Sequence, residues 1–391
     1  MKENDISFIL NHLGEERSNY FNSVAPPVIQ SSNFCFETVD EMRAGLKKEF
    51  EAPFYTRGFN PTVGILRKKI AALENSEDAL VFGSGSAAIA AGVISTVAKG
   101  DHVICVNKPY SWTTKLLNNI LSKFGVETTM VNGEKLSNFE EAIKENTRLI
   151  FLESPNSWTF ELQDIEAVCN LAKKKNITTI IDNSYSSPLF QQPISMGADM
   201  VVHSATKYLS GHSDVVAGVL CGTRERINKI FASELMTFGG ILSPHDAWLM
   251  LKGMRTLQLR MERSASSGKK IVEFLQNHPK VEKVYYPFSK ENLQYELARK
   301  QMCDCGGMFS VLLKTEKMEQ VELFCNNAKR FLLACSWGGY ESLIFPACTL
   351  YNSQNYDGSS NYLPWNLVRI YIGLEDPEVL IEDLEKAMAL V

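Results

Sequence analysis

The chain has 391 residues, 45% of them hydrophobic, with 40 Lys+Arg against 45 Asp+Glu and a formal net charge of -5. A chain of that size and composition buries a large core and is expected to divide into two domains, while so even a charge balance gives no electrostatic footprint for nucleic acid or an anionic membrane. The nine cysteines form no framework, since Cys303 and Cys305 lack the second pair or the histidines of a zinc site, and no apolar run near Met1 is long enough for a signal peptide or a membrane span; reduced thiols in a cytoplasmic protein are expected.

Residues 1–60 read as a low-periodicity arm whose prolines and glycines, in "SVAPPVIQSSNFCF" and "APFYTRGFNPTVG", favour extended segments over helices. Over 61–245, short β-branched runs alternate with helical patterns. "DALVF" precedes "SAAIAAGVISTVA", "DHVICV" precedes "SWTTKLLNNILSKFG", and "TRLIFLES" precedes "IEAVCNLAKKKN"; "ITTIIDNS", "ADMVVHS" and "VVAGVLCG" follow. That alternation predicts an α/β domain with a mostly parallel sheet and helices on both faces. Over 246–391 the pattern changes to a long helical stretch, the strand-like "VEKVYYP", "GGMFSVLLKT" and "LVRIYIGL", and a final helix, which predicts a smaller α+β domain.

Ligands of open α/β sheets bind at the carboxyl ends of the strands, so the residues after each apolar run are the ones to inspect. "DALVF" ends in "GSGSAA", a glycine turn at a helix start where free N–H groups favour a phosphate. "ITTII" ends in Asp182, and "ADMVVH" ends in Ser204, Thr206 and Lys207. Each has an ordinary reading: a plain turn, a helix cap, an ion-pair partner. "GSGSAA" also fits a dinucleotide fingerprint, but the acid that would hold a ribose is missing from the end of the next strand, Asp101 lying before "HVICV". An amine, a carboxylate and a phosphate cradle on one sheet edge together suit pyridoxal 5'-phosphate better than any of these. His203 and His212 flank Lys207 without metal-site spacing, and no metal is expected.

"SATKYLSGHSDVVAG", "IIDNSYSSP", "YTRGFNPTV", "SWGGYESLI" and "LVRIYIGLED" together resemble the cystathionine lyase and synthase family of pyridoxal-phosphate enzymes, of aminotransferase-like fold type I, from about residue 15 onwards. The resemblance implies that Lys207 forms a Schiff base with the cofactor and that Asp182 pairs with its pyridinium nitrogen. Gly85, Ser86, Ser204 and Thr206 would hold the phosphate, and Tyr110 would stack on the ring and serve in proton transfer. Arg369 and Ser336 would bind the substrate carboxylate. Tyr55 and Arg57 would reach into the neighbouring subunit's site, which implies a homodimer at least and commonly a homotetramer. Trp337 and Ser157 are further candidate substrate contacts.

Three departures stand out. The loop after Tyr110 is "YSWTT" where the family often has Gly-Gly-Thr; Ser157 replaces the usual asparagine; and Ser86 replaces a methionine. "ESPNSWTFEL" and "SWGGYESLI" resemble the bacterial cystathionine beta-lyase branch, "RGFNPTV" the gamma-lyase and synthase branches. The expected activity is carbon-sulfur lysis of sulfur amino acids, with beta-elimination of cystathionine to homocysteine, pyruvate and ammonia leading. Gamma-lysis, gamma-replacement on an activated homoserine, and a non-catalytic relative that keeps the fold remain open alternatives.

Overall fold

The computed structural model describes residues 5–351 and 363–391; residues 1–4 of the expected arm and 352–362 of the expected C-terminal domain lie outside it. Among the described residues, twelve strands form two sheets. The larger comprises β1 (Asp78–Phe82), β2 (His102–Val106), β3 (Glu127–Val131), β4 (Thr147–Glu153), β5 (Thr178–Asp182), β6 (Met200–Ser204) and β7 (Gly218–Gly222), in the order β1-β7-β6-β5-β4-β2-β3. Only β7 runs against its neighbours; the other pairings are parallel. The smaller sheet comprises β8 (Val281–Tyr285), β9 (Met308–Leu313), β10 (Leu332–Leu333), β11 (Leu343–Pro346) and β12 (Leu367–Tyr371), in the order β10-β11-β12-β9-β8.

The near-continuous apolar runs of the large sheet follow from burial on both faces. Side chains alternate across a strand, so Ile150 and Leu152 of β4 enter one apolar cluster while Leu149 and Phe151 enter another on the opposite face. The first cluster continues into the small sheet through Phe309, Val311, Val368 and Ile370. Helix Gly85–Ile94 covers the second face, capped by the Ser84 side chain, which accepts from the Ala87 N–H.

Several elements differ from the sequence reading. The arm contains helices Ile6–Asn11, capped by Asp5, and Val39–Leu46, capped by Thr38, as well as extended chain. The Asp5 and Thr38 side chains accept from first-turn N–H groups, which supports both helix starts. The helical stretch after residue 243 divides into Pro244–Met254 and Leu257–Gln276. No helix among the described residues is long and apolar enough to cross a membrane.

Candidate active site

A cavity of about 320 Å³ opens where β1, β4, β5 and β6 end, and it is lined by Gly85, Ser86, Tyr110, Ser157, Asp182, Ser204, Thr206, Lys207, Ser336 and Trp337. Larger hollows, of about 700 and 590 Å³, lie against the helix Pro61–Leu73 and the arm, away from these groups. The convergence follows from strand order: β1, β6, β5 and β4 deliver their carboxyl ends to one edge. Tyr55 and Arg57 do not line this chain's own cavity; both are exposed, with the guanidinium 5.5 Å from the tyrosine ring.

Lys207 lies in the turn after β6, its N–H bonded to the Ser204 carbonyl at 3.1 Å. Its Nζ donates to Ser336 Oγ at 2.6 Å and sits 4.6 Å from the Trp337 ring. Burial first, then the Arg369 guanidinium, push this amine down to about 8. Asp182 ends β5; its Oδ1 accepts from the N–H and hydroxyl of Ser184, at 2.9 and 2.5 Å, and burial raises its pKa. The Ser204 N–H in turn donates to Ser184 Oγ at 2.6 Å, so one serine fixes both strand ends.

The first-turn N–H groups of Gly85 and Ser86 have no acceptor within their helix. Gly85 permits a close approach, since a Cβ there would sit 3.0 Å from Ser204 Cα. The Thr206 hydroxyl is engaged with Ala217, donating to its carbonyl at 3.2 Å and accepting from its N–H at 2.9 Å. The Ser157 hydroxyl donates to Glu153 at 2.7 Å. Tyr110 stands at the mouth, its phenol raised by burial. Arg369 is 8% exposed, its guanidinium makes no hydrogen bond or ion pair to any described residue, and burial pushes it down to about 10.

Three participants were not singled out from the sequence. Glu153 ends β4 directly beside Asp182, and its carboxyl accepts from the Tyr110 N–H at 2.6 Å; burial and the Asp182 charge push it up to about 8. Applying the strand-end rule to "TRLIFLE" finds it. Ser184 and Trp158 carry no such signal, because their partners are set by the fold. His203 is committed elsewhere, its Nε2 lying 2.5 Å from the buried Glu74 carboxylate.

A neutralisable amine, a buried carboxylate and a helix N-terminus around one cavity suit a ligand bearing an aldehyde, a basic ring nitrogen and a phosphate. The residues therefore fit pyridoxal 5'-phosphate. Comparison with known proteins agrees. The chain is 40% identical over 381 residues to an L-methionine gamma-lyase of Pseudomonas deceptionensis, covering 96% of this chain and 95% of that one. It is 37% identical over 377 residues to a cystathionine gamma-lyase of Bacillus subtilis, covering 96% of each. The crystal structure of metB from Corynebacterium glutamicum superposes with a TM-score of 0.92 at 36% identity, covering 98% of both chains. The profile described as Cys/Met metabolism PLP-dependent enzyme matches residues 8–389, and the chain belongs to that pyridoxal-phosphate-dependent family.

Proposed function

We propose that this carbon-sulfur lyase cleaves cystathionine-type thioethers by beta-elimination, giving homocysteine, pyruvate and ammonia. The observation that carries this reading is the Trp337 ring, 4.6 Å from Lys207 Nζ and 5.3 Å from Arg369 Cζ, which narrows the space between the amine and the carboxylate site. A narrow space favours a leaving sulfur one carbon from the reacting centre over the longer arm that gamma chemistry requires. Pyridoxal 5'-phosphate, when bound, supplies an aldehyde for amines and an electron sink for the substrate α-carbon.

The chain's own residues supply the rest. Lys207 would hold the cofactor aldehyde, Asp182 would pair with the ring nitrogen, and Gly85, Ser86, Ser204 and Thr206 would hold the phosphate. Arg369 and Ser336 would orient the substrate carboxylate, and Tyr110 would cover the ring. Lys207 Nζ would serve as the base for the substrate α-proton, a task suited to a pKa of about 8. Lys207 or Tyr110 then returns a proton to the departing sulfur. Ser157, bonded to Glu153, supports the Tyr110 platform rather than reaching substrate directly.

The same reading takes residues 1–60 as an arm that lends Tyr55 and Arg57 to a neighbouring site, 61–245 as the cofactor domain and 246–391 as the C-terminal domain. A homodimer at minimum follows, and a homotetramer is its expected assembly. Nine free thiols support a reducing, cytoplasmic setting. Gamma-elimination is the second reading, favoured by the likeness to the methionine and cystathionine gamma-lyases.

A product assay on cystathionine tests the choice. The expected outcome is chiefly pyruvate, with Trp337→Gly raising the share of 2-oxobutyrate. Discrimination of one methylene by pocket shape is worth about 1 to 3 kcal/mol, so the preference should be roughly 10- to 200-fold. Wild-type enzyme that yields chiefly 2-oxobutyrate overturns the beta reading.

A further inference from the structure

Arg369 lies on β12, directly across from Phe345 on β11. Three aromatic rings surround its guanidinium: Trp158 at 5.0 Å, Trp337 at 5.3 Å and Phe345 at 5.3 Å. Trp337 comes from the loop before β11 and Phe345 from the small sheet. Trp158 comes instead from the loop after β4 of the large sheet, where it sits at φ +69° with its ring 5.1 Å from Phe345. The guanidinium of a residue only 8% exposed, without an anionic partner, is expensive to bury. Ring faces attract it by their quadrupoles but leave its in-plane N–H groups unsatisfied, and those match a carboxylate in a two-point pairing.

We propose that Trp158 is a positioning residue for substrate binding: it closes the aromatic cage that holds the Arg369 guanidinium in one plane, edge-on to an incoming carboxylate. This rests on the reading of Arg369 as the carboxylate site. The consequence is preorganisation. A long, flexible arginine normally loses rotamer freedom on binding, and here the rings remove that freedom beforehand. Trp158 therefore acts on ligands that carry a carboxylate and is indifferent to amines that lack one.

The test is a titration of the holoenzyme followed by the visible absorption of its cofactor. One ligand is L-alanine, which has the carboxylate and no leaving group; the other is ethylamine, the same amine without it. Trp158→Ala should weaken L-alanine by about 10-fold and ethylamine by less than about 2-fold, and Trp158→Phe, which keeps a ring face, should recover most of the loss. Equal losses for both ligands, or unchanged L-alanine binding, overturn the proposal. If Trp158→Ala does not fold, Phe345→Leu is titrated with the same pair and the same selective loss is expected; its absence overturns the cage. Neither ligand undergoes elimination, so the lyase reading is separable. An intact alanine preference with no thioether turnover sinks the elimination reading alone, whereas a wild-type enzyme with no preference overturns both Arg369 as the carboxylate site and the cage.

Discussion

Burial and the Arg369 guanidinium bring the Lys207 amine to about 8, from an ordinary value of about 10.4. The sign is that of a buried base: the neutral, nucleophilic amine predominates above the lowered value and is lost as pH falls through it. Capture of free pyridoxal 5'-phosphate by the cofactor-depleted protein should therefore accelerate about tenfold per pH unit up to about 8 and level off above. A stopped-flow pH series that is still rising steeply between 9 and 10 would show an unperturbed lysine. Lys207→Ala should abolish covalent attachment of the cofactor and lower turnover by at least about 100-fold, with the melting temperature as a control for folding; near wild-type turnover without added amine would refute the assignment. Lys207, Asp182 and Ser204 were legible because each follows an apolar run that can only be an interior strand. Glu153 was equally placed, but "LESPNS" reads as the start of a turn. Ser184 and Trp158 escaped because each is defined by a contact between segments far apart in the chain.

The loop from Ser336 to Glu341 shows how one element holds the reactive geometry. Ser336 has φ +89°, a conformation costly for a residue with a side chain, yet its hydroxyl meets Lys207 Nζ. Its neighbours hold it there. Gly338 has φ +87°, and a Cβ on it would sit 2.6 Å from Tyr208 N and 3.0 Å from Lys207 Cα, while the Gly339 carbonyl accepts from the Tyr371 hydroxyl at 2.8 Å. Gly338→Ala should therefore lower stability by about 1 to 3 kcal/mol and also lower kcat/KM by up to about 100-fold, because the loop must move off the lysine. Gly100→Ala provides the contrast: φ is +91° but nothing lies within 4 Å of the added Cβ, so stability should fall without loss of activity. Equal effects of the two on activity would show that the loop does not position Lys207. Such loops carry no periodicity, which is why the sequence pointed to "SWGGYESLI" only through resemblance. Element detection failed for a related reason at β3, an edge strand whose "ETTMV" lacks a long apolar run because it is half-exposed. The interior strands of the large sheet, apolar on both faces, were read almost residue for residue, whereas β11 in the small sheet was missed.

On the scale of the whole molecule, the arm is the part whose apolar surface is least accounted for. Phe21, Val24, Val39, Met42, Leu46 and Tyr55 are all exposed within this one segment. The fold of a single chain was legible from alternation of strands and helices, whereas no periodicity can encode a contribution to a second chain's site. For Tyr55 and Arg57 the expectation came from resemblance, and their exposure outside this chain's cavity motivates a direct test. Chains carrying Arg57→Ala and chains carrying Lys207→Ala, given different tags and co-expressed, form mixed dimers that two-step purification isolates. If Arg57 serves the partner's site, one of the two sites in each mixed dimer receives a defective lysine and a defective arginine together, and the other receives neither defect. Activity should then return to about half the wild-type rate per dimer. If Arg57 serves its own chain, every site keeps one defect and the mixed dimer is no more active than the average of its two parents.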